Sequence, residues 1–201
     1  MNNIDRFFCD DIESFAESYF DYLKKLMDQV SLSEIKTFVD ILLDARESES
    51  TVFFIGNGGS AATASHFAND LSFGTRDYEK PFRVMSLTDN VAVLTALGND
   101  NGYEDIFLRQ MKIYSKPGDI LVGISASGNS ANLIKAFEYC NKSGIQTVAM
   151  TAFDGGKLKS ISDVSIHFPT DFKEYGPAED LHLILNHLIG AYLMRIVEAS
   201  K

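Results

Sequence analysis

His66 and Asp70 stand four residues apart in the segment ASHFANDLS, so on a helix both side chains share one face. An imidazole and a carboxylate placed together can pass protons to a substrate or hold a divalent cation. A solvated pair on a helix surface is the commoner outcome of such spacing, so the flanking residues decide its weight. Immediately upstream lies Gly56-Asn57-Gly58-Gly59-Ser60, whose glycines let bare backbone approach a ligand and whose Ser60 is the expected helix N-cap. A helix over residues 60–71 would aim unpaired N–H groups and a positive dipole end at an anion. One strand, loop and helix unit thereby offers an anion seat and an acid/base or metal-ligand pair.

A second loop, Ser125-Ala126-Ser127-Gly128-Asn129-Ser130, places four hydroxyl or amide side chains in six residues before another expected helix. A plain N-cap would use one or two of them, whereas four favour a phosphate monoester held without lysine or arginine. The phosphate is expected here rather than on residues 56–60, because this loop supplies hydroxyl donors. The last helix carries Glu179, Asp180, His182 and His187 among leucines and isoleucines, where polar groups are costly unless paired. Glu179 and His187 lie about 80° apart round a helix and ~12 Å along it. That separation strains a shared metal unless the first turn is loosened, and Asp180 with His187 is the easier pair. Gly56-x-Gly58-x-x-Ala61 satisfies a dinucleotide fingerprint only formally, since the acidic residues Asp77 and Glu79 precede the next strand instead of ending it. Neither loop runs into GKS or GKT, so no nucleotide cofactor is expected.

The elements that must position these groups alternate. Apolar residues recur in steps of three and four over residues 4–30, predicting one long aromatic-rich helix. Ser31 to Glu34 has capping-box spacing before a second amphipathic helix. Strand-type runs follow at 51–55, 83–88, 119–124, 146–151 and 164–168, with helices expected at 60–71, 91–97, 103–114, 131–142 and from about 174–177 to 199. This predicts an α/β fold, a doubly wound five-stranded parallel sheet flanked by helices, with an N-terminal helical hairpin. Ligands of such sheets bind beyond the carboxyl ends of the strands, where both loops lie. With 201 residues, 45% apolar, 4 prolines and 14 glycines, the chain suits one domain over 1–201, the helices of 1–50 packing in an oligomer and 51–201 forming the core. A net charge of −10 without a basic block argues against nucleic acid. No signal-type or membrane-length apolar run is present, and Cys9 and Cys140 form no CxxC, so a reduced cytoplasm and no membrane partner are expected. A metal site would use histidine and carboxylate rather than thiolate.

GNGGS at 56–60, HFA at 66–68, GND at 98–100, GIS-x-SGNSAN at 123–132 and DGGK at 154–157 together resemble the sugar isomerase (SIS) domain family. Within that family the resemblance is to the phosphoheptose isomerases, which interconvert sedoheptulose 7-phosphate and D-glycero-D-manno-heptose 7-phosphate, precursors for surface glycans such as lipopolysaccharide and capsule. It implies a flavodoxin-like sheet and a sugar-phosphate site lined by Asn57, Gly58, Gly59, Asn99, Asp100, Ser125, Ala126, Ser127 and Ser130, with Asp70 and Glu179 reaching the substrate. It also implies a zinc ion on His66, Asp70, Glu179 and His187, with Asp70 as the base moving a proton between C1 and C2 and His187 as the acid. Asp70 and Glu179 depart from the glutamate and glutamine of the family pattern. A homotetramer is implied as well. The alternative is a non-catalytic SIS protein that binds a sugar phosphate, or a replication initiator protein, as a regulator.

Overall fold

The computed structural model describes residues 4–200; residues 1–3 and 201, part of the expected 1–201 domain, lie outside the described residues. Five parallel strands, β1 (Thr51–Gly56), β2 (Arg83–Ser86), β3 (Ile120–Ser125), β4 (Gln146–Ala152) and β5 (Val164–Phe168), form one sheet in the order β2-β1-β3-β4-β5. The runs of β1, β3 and β4 were legible because central parallel strands, covered on both faces, read as continuous apolar stretches. Successive residues split between two cores. Val52, Phe54, Val122, Ile124, Val148 and Met150 face one, and Phe53, Ile55, Leu121 and Ala149 the other. The order reverses between β1 and β3, the place where such sheets open a ligand crevice.

The first core is roofed by α1 (Ile12–Met27), α2 (Leu32–Glu47), α3 (Gly59–Ser72) and α8 (Tyr175–Ala199), whose Leu26, Phe38, Phe67 and Leu185 pack on the strands. The second core is closed by α4 (Val91–Asn101), α5 (Ile106–Tyr114), α6 (Ala131–Lys142) and α7 (Gly156–Ile161), with Phe107, Phe137 and Leu158 in its centre. The N-terminal helices belong to the core: α1 touches α8, and α2 touches β1 and β5. No helix among the described residues is long and apolar enough to cross a membrane.

The single helix expected over residues 4–30 is broken. A 3-10 turn at Asp5–Phe7 precedes α1, and Asp11 starts α1 by accepting from Ser14 N at 2.9 Å. The apolar stripe runs on across the break, which is why periodicity alone concealed it. This segment also holds the approach to α8. Tyr19 Oη donates to Asp180 Oδ2 at 2.5 Å, Tyr22 Oη donates to Glu174, and Arg6 pairs with Asp171 and Glu174.

Candidate active site

Gly58, at φ +56, turns the chain out of β1 and serves as the N-cap of α3. Only glycine takes that conformation without strain, so the helix starts one residue before the expected Ser60 cap, and Ser60 is buried in its first turn. Beyond β3 the second loop leads into α6. The two loops and the first turns of α8 enclose a cavity of about 240 Å³. Asn57, Gly58, Gly59, Ser125, Ala126, Ser127, Ser130 and Glu179 all line it, together with Tyr175, which sequence reasoning did not single out.

The serines are used unequally. Ser125 Oγ accepts from Gly128 N at 3.1 Å and Ser127 Oγ accepts from Asn129 N at 3.3 Å, whereas Ser130, the N-cap of α6, makes no side-chain cap bond. The DGGK segment braces this loop from behind: Asn129 Oδ1 accepts from Lys157 N at 3.0 Å and Gly128 O accepts from Leu158 N at 2.9 Å. Asn57 is locked in a reciprocal amide pair with Asn132, at 3.0 and 2.9 Å, and its Oδ1 also accepts from Tyr103 Oη at 2.8 Å. Among the described residues no lysine or arginine lines the cavity; an anion there would be met by hydroxyls, amides and helix N-termini. Among the described lining residues Glu179 is the one acid, and desolvation followed by the charge of Asp180 raises its pKa.

Asn99 and Asp100 do not join this cavity. α4 continues to Asn101 and ends at Gly102, at φ +91, so the expected turn at 98–102 is the exposed last turn of a helix, and Asn99 Nδ2 donates to Asp100 Oδ1 at 2.7 Å.

α3 and α8 lie side by side, and their facing residues pair in the same order. A Cβ on Gly59 would sit 2.6 Å from Glu179 Oε1, His66 meets His187, and a Cβ on Gly190 would stand 3.6 Å from Asp70 Cβ. Seven residues of α3 and eight of α8 therefore separate the cavity contact from the histidine contact, ~10 and ~12 Å along the axes. His66 Nε2 is 3.4 Å from both Asp70 Oδ2 and His187 Nε2, and one ligand atom from each of the three residues falls within 4.8 Å of the others. Bonds of about 2.1 Å to a tetrahedral cation place neighbouring ligands about 3.4 Å apart, so this donor set fits zinc. Glu179, the expected fourth ligand, is not in the cluster: the eight-residue separation leaves its carboxylate against Gly59. Asp180 is not in it either, being the acceptor for Tyr19. Asn186, unnoticed in the sequence, donates its Nδ2 to Asp70 Oδ2 at 2.9 Å.

The SIS domain family model matches residues 18–152. The chain belongs to the SIS domain family. It is 36% identical over 168 residues to a phosphoheptose isomerase of Helicobacter pylori (strain P12), covering 83% of this chain and 85% of that one. It is 36% identical over 181 residues to a phosphoheptose isomerase of Aneurinibacillus thermoaerophilus, with 89% and 85% covered. Among solved structures, a phosphoheptose isomerase from Neisseria gonorrhoeae superposes with a TM-score of 0.82 at 27% identity, covering 91% of this chain and 98% of that one. One from Francisella tularensis superposes with a TM-score of 0.81 at 25% identity, covering 97% and 100%.

Proposed function

We propose that the protein is a phosphoheptose isomerase, interconverting sedoheptulose 7-phosphate and D-glycero-D-manno-heptose 7-phosphate for the synthesis of heptose precursors. The similarity to phosphoheptose isomerases over most of the chain supports the substrate. The His66–Asp70–His187 cluster carries the catalytic half of the reading, because a regulator that only held a sugar phosphate would need none of the three. In this reading the phosphate sits on Ser127 and Ser130 at the start of α6, with the backbone of 57–59 closing over the sugar chain. Asp70 removes a proton from C1 of the ketose and, after exchange of that proton with solvent, delivers one to C2 of the enediolate to give the aldose, while His187 carries the compensating proton between O1 and O2. A zinc ion held by His66, Asp70 and His187 would polarise the substrate carbonyl and stabilise the negative charge of the enediolate.

We further read the protein as a cytoplasmic homotetramer. The apolar residues Phe8, Ile12, Phe20 and Leu32 are exposed along the N-terminal helices, and an exposed apolar surface of that kind suits a subunit contact. Sedimentation equilibrium should give four times the chain mass, and a monomer at micromolar concentration would refute the assembly.

Incubation with sedoheptulose 7-phosphate in deuterated water, with and without added zinc, tests the activity. The expected result is aldose 7-phosphate carrying deuterium at C2. Tight binding of the sugar without turnover under any divalent cation would replace this reading with the regulatory one.

A further inference from the structure

Asn186 is fully buried on α8, one residue before His187, and its buried neighbours on that helix include His182, Leu185 and Ile189. Its Nδ2 donates to Asp70 Oδ2 at 2.9 Å, while its Oδ1 has no hydrogen-bond partner among the described residues. Turning the amide over would set Oδ1 against a carboxylate oxygen, so the donor end must face Asp70. A buried amide with its acceptor unmet is unfavourable, and an apolar side chain would suit this place better for stability alone. Local rules of this kind are broken where a site needs the residue. The need is visible here. The same Oδ2 lies 3.4 Å from His66 Nε2, and the other carboxylate oxygen accepts from Asn69 Nδ2 at 3.0 Å. Gly190, one turn beyond Asn186, lets α8 approach until a Cβ would stand 3.6 Å from Asp70 Cβ.

We propose that Asn186 is a positioning residue for Asp70: its amide fixes the rotation of the carboxylate so that Oδ2 stays beside His66 and His187. The kinetic consequence rests on the isomerase reading, whereas the cation-binding consequence does not require turnover. Asn186→Leu and Asn186→Ala are the variants, compared with the unmodified protein by kcat and KM for sedoheptulose 7-phosphate, by cobalt affinity from visible absorption, and by thermal melting. Outer partners of metal-ligating groups are worth ~10–100-fold, and that loss is expected in both kcat and cobalt affinity. KM should stay within about twofold, because neither Asn186 nor Asp70 lines the anion cavity. The Leu variant should melt no lower than the unmodified protein, a combination of slow and stable that a merely structural residue would not produce.

Folded variants with unchanged kcat and unchanged cobalt affinity would overturn the proposal, as would a loss of activity that only tracks the loss of folded protein. If the unmodified protein binds cobalt but isomerises no sugar, the isomerase reading fails alone and the cobalt comparison decides. If it isomerises sugar without binding cobalt, the kinetic comparison decides. A protein that does neither overturns both.

Discussion

Replacing Ser130 by alanine removes a hydroxyl that the folded chain does not itself use. Ser130 stands at the N-cap of α6, lines the anion cavity and makes no cap bond with its side chain. A hydrogen bond to a charged group is worth roughly 1.5–3 kcal/mol. At about 1.4 kcal/mol per tenfold, Ser130→Ala should therefore weaken binding of a phosphorylated heptose by roughly 10- to 150-fold. Its stability should stay within about 0.5 kcal/mol of the unmodified protein, since no internal partner is lost. Ser125→Ala provides the contrast. That hydroxyl is buried and accepts from Gly128 N at 3.1 Å, so its removal should also cost ~1 kcal/mol of folding free energy. Titration calorimetry with a heptitol 7-phosphate, which has no carbonyl to turn over, reads affinity, and urea unfolding reads stability. Unchanged affinity in Ser130→Ala would remove the phosphate from the serine loop, and equal destabilisation in both variants would refute the division of labour between them.

Asp70→Asn keeps the shape of the side chain but removes its basicity, so kcat should fall ~10²–10⁴-fold while heptitol phosphate binds as before; a parallel loss of affinity would put Asp70 in the phosphate seat. Gly59→Ala would bring a Cβ to 2.6 Å from Glu179 Oε1 and force the carboxylate away from the start of α3. A displacement of that size should lower kcat/KM ~10²-fold, with little further loss when Glu179→Ala is added, whereas additive losses would show that the glycine acts some other way. His182 is fully buried, and desolvation pushes its imidazole down to about 4 from 6.5. The unfolded chain then binds a proton that the folded chain refuses, so stability is highest above pH 6.5 and falls as pH drops towards 4, by ~3 kcal/mol in all. His182→Leu should flatten that dependence in urea titrations at pH 7 and pH 4.5, and identical slopes in both proteins would refute it.

The strands and the cavity-lining loops were legible because their signals are local: β-branched runs for buried strands, glycine and serine clusters for the loops that follow β1 and β3. What escaped depends on three-dimensional neighbours. Asn186 reads as one polar residue beside His187, and only the approach of α3 to α8 gives it Asp70 as an acceptor. Helix arithmetic did foresee the difficulty of sharing a metal between Glu179 and His187, and the observed position of Glu179 against Gly59 follows from that separation. Asn99 and Asp100 lie outside the cavity for a different reason: α4 runs on past these turn-forming residues, and Gly102 supplies the positive φ that stops it. Tyr103 and Asn132, which fix Asn57, carry no periodic signature at all.

The tyrosines of α1 and the arginine before it grip residues 171–180, the stretch that delivers Tyr175 and Glu179 to the cavity mouth. The catalytic unit is therefore larger than the strand-and-helix repeat that holds the loops. A fragment beginning at β1 would lose the doorframe on one side along with the α1 and α2 roof of the first core, and even the family match from residue 18 leaves out Arg6. Inheritance of the doorframe from the first turns of the chain also separates two kinds of change. A change at Tyr19 or Tyr22 can reshape the cavity mouth while every residue that lines the cavity stays the same.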